Sequence, residues 1–186
     1  MDYGINRDMG FQEIEGKEFS IDALVKEFSG MSKDDIYSEG TRCSSELLDF
    51  LMNNARDAAS AYTDIMLTCA RVACSADGRF DEEERALALH LLEPIREVMG
   101  EDIEKIVDKP VDEERMELMR KKCEAFADMG DEGRAFAKNQ ARLMMCFVAV
   151  DGRIDSSEFN MIEKMFKEVF DKLGTYSLFA AMGIDL

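Results

Sequence analysis

Two short acidic segments carry the side chains of this chain that are best suited to chemistry. They begin at residues 77 and 151, an offset of 151 − 77 = 74 residues, and both follow the pattern Asp-Gly-Arg-x-Asp-x-x-Glu. Carboxylate oxygens are the ligands that hard divalent cations prefer in proteins. The carboxylates that recur in both segments are therefore the candidate metal ligands: Asp77, Asp81, Glu84, Asp151, Asp155 and Glu158.

The similarity between the two segments extends into the residues that follow them. At the same offset, Leu87 and Leu91 correspond to Met161 and Met165, and apolar residues precede both segments. Each copy is therefore predicted to be an apolar helix, a tight acidic turn and an amphipathic helix. Two such units are expected to pack as a pseudo-twofold pair, because neither buries its apolar face alone.

Helix capping explains much of this pattern without any ligand. Asp81 and Asp155 stand where an N-cap is expected, and each is followed three residues later by a glutamate, as in a capping box. Gly78 and Gly152 can adopt the positive φ that ends an incoming helix. The residues alone leave both interpretations open, the turns as helix caps or the turns as cation ligands.

The second turn also resembles the second half of an EF-hand calcium loop, with Asp151, Asp155 and Glu158 at ligand positions. The first half of that loop is missing, because its first two ligand positions hold Phe147 and Ala149. A closed calcium cage is therefore not expected. A more open site for calcium, magnesium, manganese or zinc remains, in which water molecules complete the coordination.

The charge of the whole chain restricts its partners. The 186 residues include 23 basic and 40 acidic ones, a formal net charge of −17. Such a surface repels phosphate backbones and anionic membranes, so we expect no nucleic-acid ligand and no direct membrane insertion. Cations and basic protein surfaces are the natural partners, although solubility alone would also explain the charge.

The cysteines and the N-terminus indicate a cytoplasmic protein. The five cysteines are odd in number and form no CxxC pair, which is typical of a reducing compartment. Those within apolar helical stretches are expected to act as small apolar side chains. The first residues lack the apolar core of a signal peptide.

No catalytic constellation is recognisable in the sequence. The single histidine, His90, is expected at the surface or at the edge of the core rather than as a catalytic base. The chain contains no glycine-rich phosphate loop, no GxSxG and no HExxH. The sequence therefore predicts a non-enzymatic protein.

Helices must position the two turns. Apolar residues recur at helical spacing, and no stretch alternates with a period of two, which predicts an all-α bundle of about eight helices with an internal pseudo-twofold repeat.

Ser32 is expected to cap a short turn, a new helix is expected from about Thr41, and Pro94 should kink or split its helix. We interpret residues 1–40 as a partly irregular N-terminal extension and residues 41–186 as the helical domain.

The segments 76–84 and 150–158 resemble the duplicated Ala-Asp-Gly-x-hydrophobic-x-x-x-Glu turns of the TerB-like family of tellurite-resistance proteins. The resemblance covers residues from about 44 to 182, and the second copy departs from the pattern at Val150 and at Ser156-Ser157. It implies an all-helical domain that binds a divalent cation through the six carboxylates. It also implies a role in stress response or phage defence, with partner proteins that include membrane-associated ones.

The alternative function is a pure protein-interaction or scaffold module in which the acidic turns are only helix caps. The 14 methionines of the chain favour it, since flexible thioether side chains suit adaptable binding surfaces. Methionines at helical spacing are also common in protein cores. The oligomeric state is left open by the sequence.

Overall fold

The computed structural model describes residues 21–73, 81–99, 103–109, 112–114, 117–118, 121–122, 125, 129–152 and 154. All regular structure in these ranges is helical, which confirms the all-α class. The principal helices are α1 (Ile21–Phe28), α2 (Lys33–Asn54), α3 (Ala58–Ala73), α4 (Glu82–Leu92), α5 (Arg96–Met99), α6 (Ile103–Val107) and α7 (Gly130–Ala149). The count of about eight helices and the internal repeat stay predictions, because most of the second copy lies outside the described residues.

Helix α2 is a single helix of 22 residues. The prediction of a short, separate turn before Thr41 was therefore wrong. Ser32 caps the helix in a complete capping box with Asp35, whose backbone N–H donates to the Ser32 hydroxyl at 3.2 Å. Gly40 does not interrupt α2, because it is buried against Leu87 and Leu91 of α4. The boundary predicted at residue 40 therefore falls inside this helix.

The core is formed where α2 and α3 pack against α7. Residues 143–150 of α7 and its C-cap are all buried, as expected for a helix surrounded by others. Helix α1 also contributes to the core, with two buried side chains. Large side chains that these helices bury fully include Leu47 and Leu51 of α2, Tyr62, Ile65 and Met66 of α3, Phe136 and Phe147 of α7, and Phe28 of α1.

Pro94 splits its helix as predicted. Helix α4 ends at Leu92, a 3-10 turn covers Glu93–Ile95, and α5 follows immediately. Proline has no N–H to donate within a helix, so the hydrogen-bonding ladder of α4 cannot continue through it. The buried hydroxyl of Tyr62 on α3 donates to the Leu91 carbonyl at 2.7 Å and anchors the end of α4.

Two arginines hold the short helix α6 in place. Arg71 of α3 is buried and donates to the backbone carbonyls of Val107, at 2.8 Å, and of Lys109. Arg85 of α4 donates to both carboxylate oxygens of Asp108, at 2.8 and 3.0 Å.

Among the helices that the structure describes, none combines the length and the apolar character needed to cross a membrane.

Candidate functional site

The first acidic turn forms the N-terminal cap of α4. The Oδ1 atom of Asp81 accepts from the backbone N–H of Glu84 at 2.8 Å, and Oε2 of Glu84 accepts from the backbone N–H of Asp81 at 2.7 Å. This is the reciprocal arrangement of a capping box, so the capping box predicted at Asp81 and Glu84 is confirmed. Glu84 is only 7% exposed, whereas Asp81 is exposed.

The charges around this cap are also those that a helix N-terminus favours. Glu82, Glu83 and Glu84 form the first turn of α4, where the partial positive charge of the helix stabilises carboxylates. Lys33, the first residue of α2, forms an ion pair with Glu83 and connects the N-terminal ends of the two helices. The first candidate ligand of this turn, Asp77, lies outside the described residues.

The second acidic turn is described only where it begins. Helix α7 ends at Ala149, and the backbone N–H of Gly152 donates to the Ala149 carbonyl at 3.0 Å. Gly152 has a φ of +80°, which confirms the predicted positive φ at this glycine. Asp151 is exposed next to it. Asp155 and Glu158 lie outside the described residues.

The described residues include three of the six candidate ligands. Asp81 and Glu84 share the first turn and are bonded to each other's backbone, and Asp151 belongs to the second turn. Within the described part of the chain, no group of three or more His, Cys, Asp or Glu side chains is arranged to hold a metal ion. A set of three or more ligands drawn from the six candidates would therefore include at least one of Asp77, Asp155 and Glu158.

His90 lies at the surface of α4, where the sequence predicted it. Its Nε2 atom is 3.2 Å from the Thr41 hydroxyl, and its ring centroid is 5.3 Å from that of Tyr37. The Thr41 hydroxyl donates its hydrogen to the Tyr37 carbonyl at 2.9 Å. The Thr41–His90 contact therefore joins α2 and α4 at the surface.

A cluster of charged side chains joins α1, α2 and α7, and it was not predicted. Arg142 of α7 donates to both carboxylate oxygens of Glu27, at 2.7 and 3.1 Å, and also to Glu39. Arg42 donates to Glu39 at 2.7 and 2.9 Å. The sequence signal was limited to Glu39 and Arg42, which are three residues apart on one helix face.

Glu39 is the most strongly perturbed carboxyl of this cluster. Burial alone would raise the pKa of the Glu39 carboxyl, but the hydrogen bonds and charges of Arg42 and Arg142 outweigh burial and lower it to about 2. The carboxylate is therefore ionised at any physiological pH and cannot serve as a general acid or base there. The cluster fastens helices together instead.

Two of the cysteines predicted to act as small apolar side chains, Cys69 and Cys146, are described by the structure, and both are buried. Cys43, Cys69 and Cys146 are all buried and unpaired with one another. Burial raises the pKa of the Cys43 thiol and that of the Cys146 thiol well above the usual range. Both thiols are therefore protonated at neutral pH, and a protonated thiol is a poor nucleophile and a poor metal ligand.

An open apolar groove is the other feature of this surface that the sequence did not predict. It lies where the connection between α2 and α3 faces the 3-10 turn and α5, and its volume is about 430 Å³. We call it the Met52–Val98 groove. Its apolar lining consists of Leu48, Met52, Ala55, Ala58, Ala59, Pro94, Ile95 and Val98.

Two side chains of this groove are unusually exposed. Met52 is 67% exposed and Val98 is 73% exposed. Among the described residues only four large apolar side chains are exposed, the other two being Leu118 and Met129. Single exposed apolar residues are normal on protein surfaces, but half of this set lines one groove, and such grouping is typical of binding surfaces.

The two acidic turns are the part of this sequence that resembles a known family. Comparisons with protein-family models, with curated proteins and with solved structures found no match. The resemblance to the TerB-like family therefore stays a prediction from the residues of the two turns.

Proposed function

We propose that this chain is a non-catalytic, all-helical module that binds a partner protein at the Met52–Val98 groove. The observation that carries the proposal is the exposure of Met52 and Val98 on one concave apolar surface. In this function the first acidic turn is a structural cap. The reciprocal bonds between Asp81 and Glu84 support that role, because they engage both carboxylates in fixing the start of α4.

The energetics of burial favour a partner at this groove. Fully burying a side chain such as methionine or valine stabilises a complex by about 1.5–3 kcal/mol. Methionine also adapts its three rotatable bonds to the shape of a partner, which suits Met52 at the open side of the groove. Met52 and Val98 are therefore the expected anchor contacts.

The test is a titration of the isotope-labelled protein with a synthetic amphipathic helix. The peptide has about 16 residues, with leucines at helical spacing on one face and glutamine and serine elsewhere. We expect saturable changes in the NMR spectrum at the groove residues. The double variant Met52→Gln/Val98→Thr should weaken binding about tenfold, because it removes apolar contact without changing charge.

Leu118→Gln is the matched control, since Leu118 is 53% exposed and does not line the groove. This variant should bind the peptide as the unaltered protein does. Circular dichroism should show the same helicity for all three proteins. If no titration saturates, or if the double variant binds as well as the control, the groove is not the binding surface and the proposal fails.

Cation binding by the two turns, as in the TerB-like resemblance, is the second candidate. The observation that favours it is the identity of Asp77 and Arg79 with Asp151 and Arg153 in the other copy. A capping box needs only the later aspartate and glutamate of each turn, so these further identities exceed what capping requires. A role in metal-type stress response or phage defence would follow from such a site.

Calorimetric titration of the chelator-treated protein with calcium, magnesium, manganese and zinc tests this candidate. We expect micromolar or tighter binding of one of these ions if the turns are ligands, and loss of that binding in Asp77→Asn/Asp151→Asn. The double variant should keep its helicity, because the cap residues Asp81 and Glu84 are unchanged. Absence of binding by the folded protein would exclude the cation function.

A further inference from the structure

Helix α1 is docked on the rest of the bundle along a narrow face. Among the described helices, α7 is the one against which α1 mainly packs. Leu24 and Phe28, one helical turn apart, are buried. Val25 is half-buried, and the other side chains of α1 that the structure describes are exposed. The apolar docking of α1 therefore depends on two side chains at positions i and i+4.

The polar contacts between α1 and α7 converge on Arg142. The Glu27 carboxylate accepts from Nη2 and Nη1 of Arg142 at 2.7 and 3.1 Å. The guanidinium carbon of Arg142 lies 5.4 Å from the centroid of the Phe28 ring. The Nε atom of Arg142 donates to Glu39 of α2. The docking surface for α1 thus presents a guanidinium group that α2 holds in place, and α1 supplies a carboxylate and an aromatic ring to it.

The length of α1 makes its helical structure dependent on this docking. It has eight residues, fewer than the roughly 12–15 that a helix needs to persist alone in water. Residues 29–32 connect it to α2. A short element at one end of a chain segment, held by two buried side chains, opens more easily than the core helices. We therefore expect α1 to leave its docking surface and return while the other helices stay folded.

We propose that α1 covers a helix-binding site in cis, and that an amphipathic helix of a partner protein binds to α7 there when α1 is displaced. The partner helix carries the pattern of α1: a bulky aliphatic residue, an aromatic residue four positions later and a glutamate directly before the aromatic one. The two apolar side chains take the places of Leu24 and Phe28, and the glutamate accepts from Arg142. This site is separate from the Met52–Val98 groove, whose lining contains no residue of α1 or α7.

Arg142 selects the chemistry of the occupant. Its side chain is only 15% exposed, and displacement of α1 removes the carboxylate that accepts from Nη1 and Nη2. A charge left without its partner in a largely buried position is unfavourable, so the partner must provide a carboxylate there. A lysine at that position of the partner would instead face a like charge. A second copy of this chain would offer its own α1, but two molecules that each carry −17 repel each other.

A labelled peptide of residues 20–31 tests the inference on the full chain, by fluorescence anisotropy at about 150 mM salt. Because α1 occupies the site, we expect the unaltered chain to bind the peptide only in proportion to its open fraction. Leu24→Ala/Phe28→Ala in the chain undocks α1 and should tighten peptide binding by about tenfold or more. Met52→Gln/Val98→Thr should leave peptide binding unchanged, because the groove is a different surface.

Glu27→Gln distinguishes competition for the site from a general change in stability. In the chain, this substitution loosens α1 and should tighten peptide binding about threefold. In the peptide, it should weaken binding about threefold, because the peptide then offers Arg142 no carboxylate. Asp22→Asn, which alters an exposed carboxylate of the same helix, is the matched control and should change neither affinity. Circular dichroism should show closely similar helicity for these chains.

Hydrogen exchange of the unaltered protein measures the opening of α1 directly. The backbone amides of residues 25–28 should exchange about a hundredfold or more faster than those of residues 143–148 in α7, because local opening exposes them. Equal protection of the two helices would mean that α1 leaves only when the whole protein unfolds, and the inference would be wrong.

The peptide experiments have three further outcomes that would overturn the inference. The peptide fails to bind when α1 is undocked, its binding is lost in Met52→Gln/Val98→Thr, or Glu27→Gln has the same sign of effect in the chain and in the peptide. A dimer that the peptide dissociates would make the occupant a second copy and not a partner protein. Absence of peptide binding leaves the proposed function of the groove standing, because the two surfaces share no residue.

Discussion

Glu39 illustrates, at the scale of single residues, how two arginines reverse the effect of burial on a carboxyl group. The Glu39 side chain is only 14% exposed, which alone would favour its neutral form. Arg42 and Arg142 both donate to it, and together they lower its pKa from the usual 4.5 to about 2. The charged form is therefore part of the folded state, and its protonation must weaken that state.

The pH dependence of stability follows from this shift. Because the folded pKa is lower than the unfolded one, Glu39 contributes stability above about pH 4.5, and the contribution disappears as pH falls toward 2. Glu39→Gln should lower the free energy of unfolding at pH 7 by about 2 kcal/mol and by much less at pH 2. Urea unfolding at a series of pH values measures this, and an equal loss at both extremes would contradict it.

Asp81 shows what the first acidic turn contributes as a cap. Asp81→Ala should lower the free energy of unfolding by about 1 kcal/mol, because the backbone N–H of Glu84 loses its acceptor. Asp81→Ser should retain most of that stability, since serine caps helices equally well. Glu82→Ala, one position into the exposed first turn, serves as the control. Thermal or urea unfolding of the three variants is the measurement, and indistinguishable stabilities would refute the capping role.

At the scale of the elements, Gly40 is a position in α2 where the residue type itself lowers helix stability. A glycine inside a helix costs about 1 kcal/mol relative to alanine, because the unfolded chain loses more freedom. A Cβ atom at Gly40 would lie 3.5 Å from Leu91 and 3.6 Å from Leu87, both ordinary van der Waals distances. The packing of α2 on α4 therefore has room for alanine.

Gly40→Ala should accordingly raise the free energy of unfolding by about 0.5–1 kcal/mol. Gly152→Ala is the contrasting variant, because Gly152 has a φ of +80° and a side chain there is strained even without a clash. We expect it to destabilise the protein by about 1 kcal/mol. Both are measured by chemical unfolding. A loss of stability in Gly40→Ala would mean that α4 cannot accommodate the added methyl group.

At the scale of the whole molecule, the net charge of −17 opposes compactness. Like charges on the surface repel one another, and salt screens that repulsion over distances of about 10 Å. The ion pairs of Arg142 with Glu27 and Glu39 act in the opposite sense but are partly buried, so salt weakens them less.

Raising sodium chloride from about 20 mM to about 500 mM should therefore increase Tm by a few degrees. Differential scanning calorimetry measures it, with chloride preferred to sulfate because sulfate strengthens apolar burial independently of charge. The same titration with sucrose controls for general effects of solutes. A Tm that falls with chloride would show that specific ion pairs outweigh the net repulsion.

The sequence by itself determined the features that depend on residues within a few positions of one another. The all-α class follows from apolar spacing, the split at Pro94 from a missing N–H, and the cap at Asp81 from the glutamate three residues later. The turn at Gly152 follows from the freedom of glycine to adopt a positive φ. Each involves one turn of chain, whose geometry is the same wherever the helix packs. Of the candidate site, this local pattern accounts for the cap that Asp81 and Glu84 form, and the assignment of the six carboxylates as metal ligands stays a prediction.

Only the tertiary structure decided which distant residues meet. Arg142 lies 115 residues from Glu27 and 103 from Glu39, and apolar or charged periodicity does not say which helices will be neighbours. In the sequence, nothing distinguishes Met52 or Val98 from other apolar helix residues. They line one groove because α5, which follows the turn at Pro94, lies beside the end of α2. Gly40 continues α2 because α4 packs on it. Which residues share a surface depends on how the helices pack, and a local sequence pattern does not specify the contacts between distant helices.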